Sequence, residues 1–422
     1  MVSARPLTMS EKVLARVGGR EAAPGDVVTA KVDLVMSHDN AALIGSVFRQ
    51  IPVRGVFDRG RMVMVLDHRS PAPDIETATK QKMVRDFVKE QGIPTFYDMK
   101  EGICHQVLPE KGHVLPGMHV VGTDSHTCTY GALGAFSYGV GATEMAAVWA
   151  TGELWLRVPE TMRVALEGTL PPGVFAKDVT LEVVRDVTAD GANDMAVEYE
   201  GSWIRQSSVP ERQTLCNMGI EMGAAVAMVP PDATTLAYLA ARGRHEYPHL
   251  VRSDPGARVA ERRTFDVSRL EPRVACPHSV DNVHPVTTVV GRTIHQAFLG
   301  SCTNGRVEDL REAARILRGR QVHPDVRLIV TPASRTQMLA AMEEGTMQAL
   351  VEAGAIVGTP GCGPCMGAAG GILAPGERCI SSSNRNFKGR MGSAQSEVYL
   401  ASPATVAASA LEGVIADPRS YV

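Results

Sequence analysis

Residues 295–317 read HQAFLGSCTNGRVEDLREAARIL: a short apolar run, a loop of small polar residues, and a stretch with helical periodicity. The same order returns further along, with an apolar run at 326–330 before a helical pattern at 335–353. A third run at 355–357 leads into the loop GTPGCGPCMG at 358–367. Strand, loop and helix in repetition predict a parallel sheet covered by helices. Because ligands of such sheets bind beyond the carboxyl ends of the strands, these loops are candidate functional sites.

The chain of 422 residues divides into three regions. At about 150 residues per domain, this length is typical of three domains. We expect domain 1 at 1–160, which is rich in His and Gly, domain 2 at 161–280, and domain 3 at 281–422, which holds the strand–helix repetition. The middle region contains a Pro-Pro-Gly turn at 171–173 and an Arg-rich stretch, 242–263, that predicts a surface loop. The predicted fold class is α/β, in three domains.

The charge balance excludes several classes of protein. Lysine and arginine number 43 against 46 acidic residues, a net charge of −3, so no basic excess points to nucleic acid or an anionic membrane. No apolar run approaches the ~18 residues of a membrane span. The first residues lack the apolar segment of a secretory signal and instead predict a helix, capped by Thr8 with Glu11 and ending near Gly18. We therefore expect a cytoplasmic protein whose eight cysteines are free thiols.

Three cysteines lie in glycine-flanked loops after predicted strands: Cys302 in GSCTNG, and Cys362 and Cys365 in a C-x-x-C motif. Flanking glycines let the backbone approach a bulky inorganic group closely. Thiolates in this setting suit an iron–sulfur cluster or zinc, and three of them would leave one metal position open to a substrate. A chance buried pair and a thioredoxin-like dithiol are the alternatives on spacing alone. The dithiol interpretation leaves Cys302 unexplained.

The first region carries acid and imidazole side chains close to predicted strand ends. Asp67 and His68 follow an apolar run, His105 follows a mixed segment, and Asp124 and His126 lie in the string GTDSHT. A carboxylate fixes the tautomer of a neighbouring imidazole and raises its basicity, which prepares it for proton transfer. A structural histidine is the simpler interpretation of each pair alone, but the recurrence favours a catalytic site.

Two further motifs fit a polar substrate. The string NRNFKGR at 384–390 offers Arg385 and Arg390, whose planar guanidinium groups bind carboxylates through two hydrogen bonds. Such a loop suits a di- or tricarboxylate, with an exposed basic loop as the alternative. Asn217 and Glu221 are four residues apart, the spacing of one helix face, which ordinary surface pairs also have.

Five strings, taken together and in order, resemble the aconitase family of iron–sulfur hydro-lyases. They are GTDSHT at 122–127, CNMGIEMGA at 216–224, GSCTNGR at 300–306, GCGPCMG at 361–367 and SNRNFKGR at 383–390. The resemblance runs from the first helix to the last. It implies a three-domain aconitase-like architecture in which strand–helix domains surround a central iron–sulfur cluster.

Within that family the sequence resembles the large subunits of two-chain members, 3-isopropylmalate dehydratase and homoaconitase. It ends soon after the last string, without the G-S-S-R segment of the swivelling domain found in large aconitases. The resemblance implies a small subunit that brings a serine base and a substrate-recognition loop, and a 2-hydroxy di- or tricarboxylate substrate. Our first expectation is isomerisation of isopropylmalate in leucine biosynthesis. Homoaconitase and methylmalate- or dimethylmalate-type dehydratases are the alternatives, and RNA binding, known for a cluster-free relative, is disfavoured by the net charge.

The resemblance also implies a role for each motif residue. A 4Fe-4S cluster, with one iron free of protein thiolate, would be held by Cys302, Cys362 and Cys365. Proton transfer and handling of the hydroxyl would fall to Asp67, His68, His105, Asp124, His126 and Glu221. Contacts with the substrate or the cluster surroundings would come from His38, Ser125, Asn217, Asn384, Arg385 and Arg390. We expect four further cysteines to be small buried hydrophobes without a ligand role: Cys104, Cys128, Cys216 and Cys379.

Overall fold

Four β-sheets organise residues 5–421, the part of the chain that the computed structural model describes. The first elements, in chain order, are α1 (Met9–Gly18), β1 (Val27–Lys31), β2 (Leu34–Ser37), α2 (Ala41–Phe48), β3 (Met62–Val65), α3 (Ile75–Gln91), β4 (Thr95–Tyr97), α4 (Cys104–Glu110), β5 (His119–Gly122), β6 (Phe136–Gly139), α5 (Ala142–Thr151) and β7 (Glu153–Arg157). Strands β4, β3, β2, β5 and β6 form a parallel sheet in that order, and β1 pairs with β7 in a separate antiparallel sheet. Helix α1 begins as predicted, because Thr8 and Glu11 each accept the other's backbone N–H.

A second parallel sheet lies in the middle of the chain. Its elements are β8 (Thr161–Glu167), α6 (Ala176–Val187), β9 (Ala196–Glu200), α7 (Ser202–Gln206), α8 (Val209–Asn217), β10 (Val226–Met228), α9 (Ala233–Ala240) and β11 (Glu261–Asp266). The strands are ordered β10-β9-β8-β11. The predicted loop at 242–263 is confirmed as far as residue 260, and its last three residues begin β11.

The largest sheet has seven strands in the order β13-β12-β18-β17-β14-β15-β16, parallel except at β12 and β13. The elements are β12 (Arg273–Ala275), β13 (Val283–Pro285), β14 (Gln296–Gly300), α10 (Ser301–Asn304), α11 (Val307–Leu317), β15 (Arg327–Thr331), α12 (Arg335–Glu343), α13 (Thr346–Glu352), β16 (Ile356–Val357), β17 (Arg378–Ser381), β18 (Glu397–Ala401) and α14 (Pro403–Glu412). The predicted strand–helix repetition is confirmed. One helix prediction is wrong: 335–353 forms two helices, because Gly345 adopts a left-handed conformation with φ 74°.

Loops at the carboxyl ends of the five- and seven-stranded sheets meet. The backbone N–H of Cys362 donates to the carbonyl of Asp67 at 3.2 Å, and that of Ile103 donates to the carbonyl of Ala333 at 2.8 Å. The first contact requires a glycine, since a Cβ on Gly361 would lie 2.7 Å from the Asp67 carbonyl oxygen. The cysteine loop is therefore packed directly against the loop that carries the Asp67–His68 pair.

The largest apolar cluster joins the four-stranded sheet to the loops of the seven-stranded one, and Cys302, Cys362 and Cys365 lie within it. All eight cysteines are buried and free, so the predicted burial of the other four is confirmed. Within residues 5–421, every helix is too short or too polar to cross a membrane. The division into domains at 160 and 280 stays a prediction.

Candidate active site

The Asp67–His68 pair lies directly after β3. His68 Nδ1 donates to Asp67 Oδ1 at 2.7 Å, and Asp67 Oδ2 accepts the backbone N–H of Cys104 at 2.7 Å. The other ring nitrogen, His68 Nε2, lies 3.4 Å from Asp124 Oδ2. Burial opposes a charge on His68, but the two carboxylates outweigh it and raise the pKa of His68 well above its usual range. An imidazole held between two carboxylates is an imidazolium, which is a proton donor.

Asp124, just after β5, binds three histidines. Its Oδ1 accepts from His105 Nε2 at 2.7 Å and lies 3.3 Å from His126 Nδ1, while Oδ2 faces His68. Burial favours the neutral acid, yet these hydrogen bonds hold the pKa of Asp124 well below its usual range. His105 has only this one carboxylate partner, and burial lowers its pKa, so it stays a neutral imidazole.

Glu221 extends the network away from Asp124. Its Oε1 accepts from His126 Nε2 at 2.7 Å and from Arg385 Nε at 2.8 Å. Burial acts against the charged forms, but the hydrogen bonds lower the pKa of Glu221 and raise the pKa of His126. His126, like His68, therefore lies between two carboxylates, which favour its protonated form.

Asn384 lies between two of the predicted ligand cysteines. Its Nδ2 is 3.5 Å from Cys302 Sγ, and its Oδ1 is 3.7 Å from Cys365 Sγ. Asn217 Nδ2 lies 3.3 Å from Cys302 Sγ, and Arg390 Nη2 lies 3.6 Å from Cys365 Sγ. N–H donors thus face the sulfur atoms from several directions, an arrangement that stabilises thiolates and metal-bound sulfur.

These cysteines fit a multi-iron group better than a single zinc ion. Zinc holds its ligands at 2.0–2.3 Å, which places the ligand atoms within about 4 Å of one another. Among the described residues, ligand atoms that lie together within 4.8 Å belong to His38, Asp39, Asp67 and His68, not to the cysteines. Burial raises the pKa of Cys302 to about 11, so forming its thiolate costs free energy. Metal binding overcomes this cost, because a coordinating thiol is deprotonated. The three sulfur atoms are thus not all within 4.8 Å of one another, as ligands of a single zinc ion would be, and a set of three thiols suits an iron–sulfur cluster.

Sequence reasoning missed Asp39, which fixes the Asp67–His68 segment. Asp39 Oδ2 accepts the backbone N–H groups of Asp67 at 2.9 Å and His68 at 2.8 Å, and Oδ1 lies 3.4 Å from Gln81 Nε2. Its carboxylate is thus occupied by protein donors. The only signal in the sequence is its place beside His38, in a loop that follows an apolar run.

Two buried cations that support the cysteine loops were also missed. Lys177, at the start of α6, donates to the carbonyls of Ser382, at 2.9 Å, and Ser383, immediately before Asn384. Arg306 donates to the carbonyl of Cys302 at 2.7 Å. Lysines on amphipathic helices are usually solvated, so the sequence gives no sign that Lys177 is buried. Arg306 stands in the string GSCTNGR and was within reach of sequence reasoning.

The remaining predicted residues lie around this centre. His38 stacks on His68 with ring centroids 4.3 Å apart, and half-buried Ser125 follows Asp124 in a 3-10 helix. Asn217 and Glu221 both reach the site, but the prediction that they share one helix face is wrong. Helix α8 ends at Asn217, and Glu221 belongs to a 3-10 helix, Met218–Met222, that turns the two side chains towards different partners.

The fold and the site define an α/β protein in which a buried three-cysteine centre adjoins a network of imidazoles and carboxylates. A sequence model of the aconitase family (aconitate hydratase) matches residues 23–295 and 287–413. The chain belongs to the aconitase family. The predicted class, a hydro-lyase, is thereby confirmed, and the family implies an iron–sulfur cluster.

Several relatives are similar over nearly their whole length. The 3-isopropylmalate dehydratase large subunit 1 of Methanopyrus kandleri is 55% identical, with 98% of this chain and 99% of that protein covered. The probable methanogen homoaconitase large subunit of Methanothermobacter thermautotrophicus is 51% identical, with 98% of each covered. The 3-isopropylmalate dehydratase large subunit of Aquifex aeolicus is 48% identical, with 99% and 98% covered.

A solved structure shares the fold. The holo-form of aconitase X from Thermococcus kodakaraensis matches with a TM-score of 0.51 at 14% identity, covering 89% of this chain and 88% of that one. The predicted aconitase-like fold class is confirmed.

Proposed function

We propose that this chain is the large subunit of a 4Fe-4S hydro-lyase that interconverts 2-isopropylmalate and 3-isopropylmalate. The reaction removes water to give an unsaturated diacid and adds it back at the neighbouring carbon, a step of leucine biosynthesis in the cytoplasm. The observation that carries the proposal is the direct packing of the Cys362 loop on Asp67, which puts a protonated His68 beside the cysteine centre. Relatives named as large subunits of this dehydratase support it.

Cys302, Cys362 and Cys365 would hold the cluster, with Asn217 and Asn384 donating to the sulfur atoms. When bound there, the cluster would supply an iron without a protein thiolate, a Lewis acid for the substrate hydroxyl and carboxylate. Arg390 would balance negative charge on this side of the site, since its guanidinium already faces Cys365.

His68 would be the acid of the dehydration. Its proton would pass to the leaving hydroxyl, so that hydroxide departs as water, and Asp67 and Asp124 would steady the imidazole as its charge changes. In the reverse direction His68 would take a proton from the incoming water. His105, His126 and Glu221 would act on this pair through Asp124, as positioning groups.

The base that removes the proton alpha to a carboxylate would come from a small subunit, as a serine, together with the loop that recognises the variable arm of the substrate. This chain would bind the malate-like half through His38, Ser125, Arg385 and Arg390. The names of the relatives imply a second subunit for those proteins, and this supports the same assembly here.

Homoaconitase activity is the second candidate, because a relative with that name is 51% identical over nearly the full chain. Its substrate shares the hydroxy-diacid half and differs in the arm, which would carry a carboxylate instead of an isopropyl group. The two activities would therefore use the same residues of this chain.

The test is anaerobic co-expression with the small subunit, followed by cluster reconstitution. 3-Isopropylmalate, homocitrate, citrate and 2-methylmalate are each supplied, and formation of the unsaturated acid is followed by ultraviolet absorbance. We expect activity on 3-isopropylmalate that disappears in Cys365→Ser and falls about 100-fold or more in His68→Gln. Cys379→Ser is the matched control, since Cys379 is buried but was assigned no ligand role.

Turnover of homocitrate alone would replace the first candidate by the second. About four irons per chain without turnover of any acid would keep the class and reject both substrates. Failure to retain iron under any condition would reject the cluster and favour the dithiol alternative.

A further inference from the structure

The two-stranded sheet of β1 and β7 leaves one edge of β7 open. Hydrogen bonds from Val32 N–H to the Gly152 carbonyl and from Val158 N–H to the Asp26 carbonyl fix which residues of β7 bond to β1. Since antiparallel strands alternate, the even-numbered residues of β7 face β1. The backbone groups that point to the other edge belong to Glu153, Trp155 and Arg157. Within residues 5–421, β1 is the one strand that pairs with β7.

A groove runs along this open edge. Its volume is about 770 Å³, and its wall includes the consecutive residues 154–160. A groove beneath one face of a strand would be lined by alternate residues, so consecutive lining residues place this one at the strand edge. Phe136, Tyr138 and Met195 also line this groove. The edge therefore has room for a further extended segment.

The exposed face of β7 carries one large apolar side chain, Trp155, between two charged residues. Trp155 is 72% exposed, whereas the other two tryptophans, Trp149 and Trp203, are 0% and 4% exposed. Val27, opposite Arg157 on β1, is 53% exposed. Tryptophan is enriched at protein interfaces, and an uncovered strand edge is a template for pairing with another chain.

The sequence of β7 is complementary to itself. It reads Glu153-Leu-Trp155-Leu-Arg157, with an acid two residues before the central tryptophan and a base two residues after it. If two such strands pair antiparallel about Trp155, each Glu153 faces the other chain's Arg157, and the two Trp155 residues face each other. The outward backbone groups lie at these same three positions, so they can form the hydrogen-bonded pairs of the new ladder. Those of Glu153 are bonded to the hydroxyl of Thr151, at 3.2 and 3.3 Å, and exchange this exposed partner for the second strand.

We propose that β7 is a self-association surface, at which a second copy of this chain adds its own β7 antiparallel across a two-fold axis. The interface is isologous, as two-fold symmetry requires, with paired charges at its ends and the tryptophans at its centre. This surface is separate from the candidate active site, so the inference stands whether or not the proposed function is correct.

The test uses two charge-reversal variants of the full chain, alone and with the small subunit. Glu153→Arg places two arginines opposite each other across the axis, and Arg157→Glu places two glutamates opposite each other. We expect wild type to sediment as a dimer of large chains, and each variant to dimerise about tenfold more weakly. Mixing the two variants restores the dimer, because every contact across the axis then joins opposite charges.

The mixing step separates pairing from damage, since a misfolded variant is not repaired by another variant. Lys82→Glu and Asp86→Lys, an exposed charged pair on α3, are the matched controls and leave dimerisation unchanged. Fluorescence quenching by acrylamide gives a second readout, because Trp155 alone is exposed in a single chain. We expect its quenching to fall as the concentration of the chain rises.

Three results would overturn the inference. The first is a monomeric wild-type chain at tens of micromolar, both with and without the small subunit. The second is a dimer that both variants retain, which would place the interface elsewhere. The third is protection of Trp155 by the small subunit alone, which would make this edge a contact between unlike subunits.

Discussion

At the scale of single residues, the site is a chain of alternating charges. The carboxylates of Asp67, Asp124 and Glu221 alternate with the imidazoles of His68 and His126, and Arg385 ends the series. Each imidazolium has a carboxylate on both ring nitrogens, which fixes ring orientation and protonation together. Asp124 is the shared member, so its removal affects two imidazoles at once.

Asp124→Asn should therefore lower kcat about 100-fold or more and change its pH dependence. The raised pKa of His68 means that its acid form persists above pH 6.5 and is lost as pH rises through the folded-state pKa. Without the Asp124 charge that pKa falls, so the alkaline limb of the pH–kcat profile moves to lower pH. Asp86→Asn, on an exposed helix face, is the control. A parallel loss of kcat at every pH would show that Asp124 acts only on structure.

Lys177 is a residue whose environment opposes its charge. Burial lowers its pKa to about 7, and its ammonium group is held by the carbonyls of Ser382 and Ser383 rather than by a carboxylate. Because the unfolded lysine has a pKa near 10.5, the contribution of Lys177 to stability is greatest above that pH and is lost as pH falls towards 7.

The contribution of Lys177 to the unfolding free energy of the cluster-free chain should accordingly rise between pH 7 and 9, by up to about 1.4 kcal/mol per pH unit. It is measured as the difference in slope between wild type and Lys177→Met, because the buried cysteines, whose pKa values are raised, make the total fall with pH in both chains. Lys177→Met removes that slope and leaves two buried carbonyls without a donor, at a cost of about 1–3 kcal/mol each. Urea unfolding at several pH values measures both effects. Arg185→Met, exposed on the same helix, is the control. An unchanged slope in Lys177→Met would show that another group titrates there.

At the scale of elements, the interruption between α12 and α13 shows where periodicity fails. The apolar pattern across 335–353 continues through Gly345. Periodicity alone therefore predicts one helix where the structure has two. The signal was local: a glycine near the end of a helical turn is a common cap, because it adopts positive φ without steric cost. The same reasoning applies to Asn217 and Glu221, where a 3-10 turn replaces the expected α-helical face.

Gly345→Ala should cost about 1 kcal/mol in unfolding free energy. A Cβ at this position meets nothing within 4 Å, so the cost arises from φ 74° alone and not from a clash. Gly18→Ala is the matched control, since its Cβ would make ordinary contacts and its φ is not positive. Urea denaturation of both variants measures the difference. Equal stability of the two would mean that the helix end tolerates a different conformation.

At the scale of the whole molecule, the sequence predicted the class and named most residues of the candidate site, and burial identified the others. The motif cysteines and histidines were visible because their residue types are rare and their strings are specific. Asp39, Lys177 and Arg306 were missed because their importance comes from what surrounds them in three dimensions. Acidic and basic side chains outside a recognisable motif are normally solvated. Only the packing of the folded chain shows that these three side chains are buried or hydrogen-bonded within the protein.

The assembly of the site also predicts what this chain lacks when it is alone. His68 and His126 are imidazolium ions, each held by two carboxylates, so neither can accept a further proton. His105 is neutral, but it is fully buried and its Nε2 donates to Asp124. Among the described residues, the three imidazoles of this network are therefore acids or positioning groups. Under the proposed function, we therefore expect the base that removes the proton alpha to a carboxylate to come from the small subunit.

We accordingly expect the reconstituted large chain to retain its iron and to turn over at least about 100 times more slowly than the complex with its small subunit. Stopped assays at matched iron content, with and without the small subunit, measure the ratio. Substrate binding to the large chain alone is measured by the change in the electron paramagnetic resonance spectrum of the reduced cluster. This measurement distinguishes a loss of catalysis from a loss of substrate binding. Robust turnover by the isolated chain would place the base within it, and His38 and His105 would then be the first residues to replace, because burial lowers the pKa of both imidazoles.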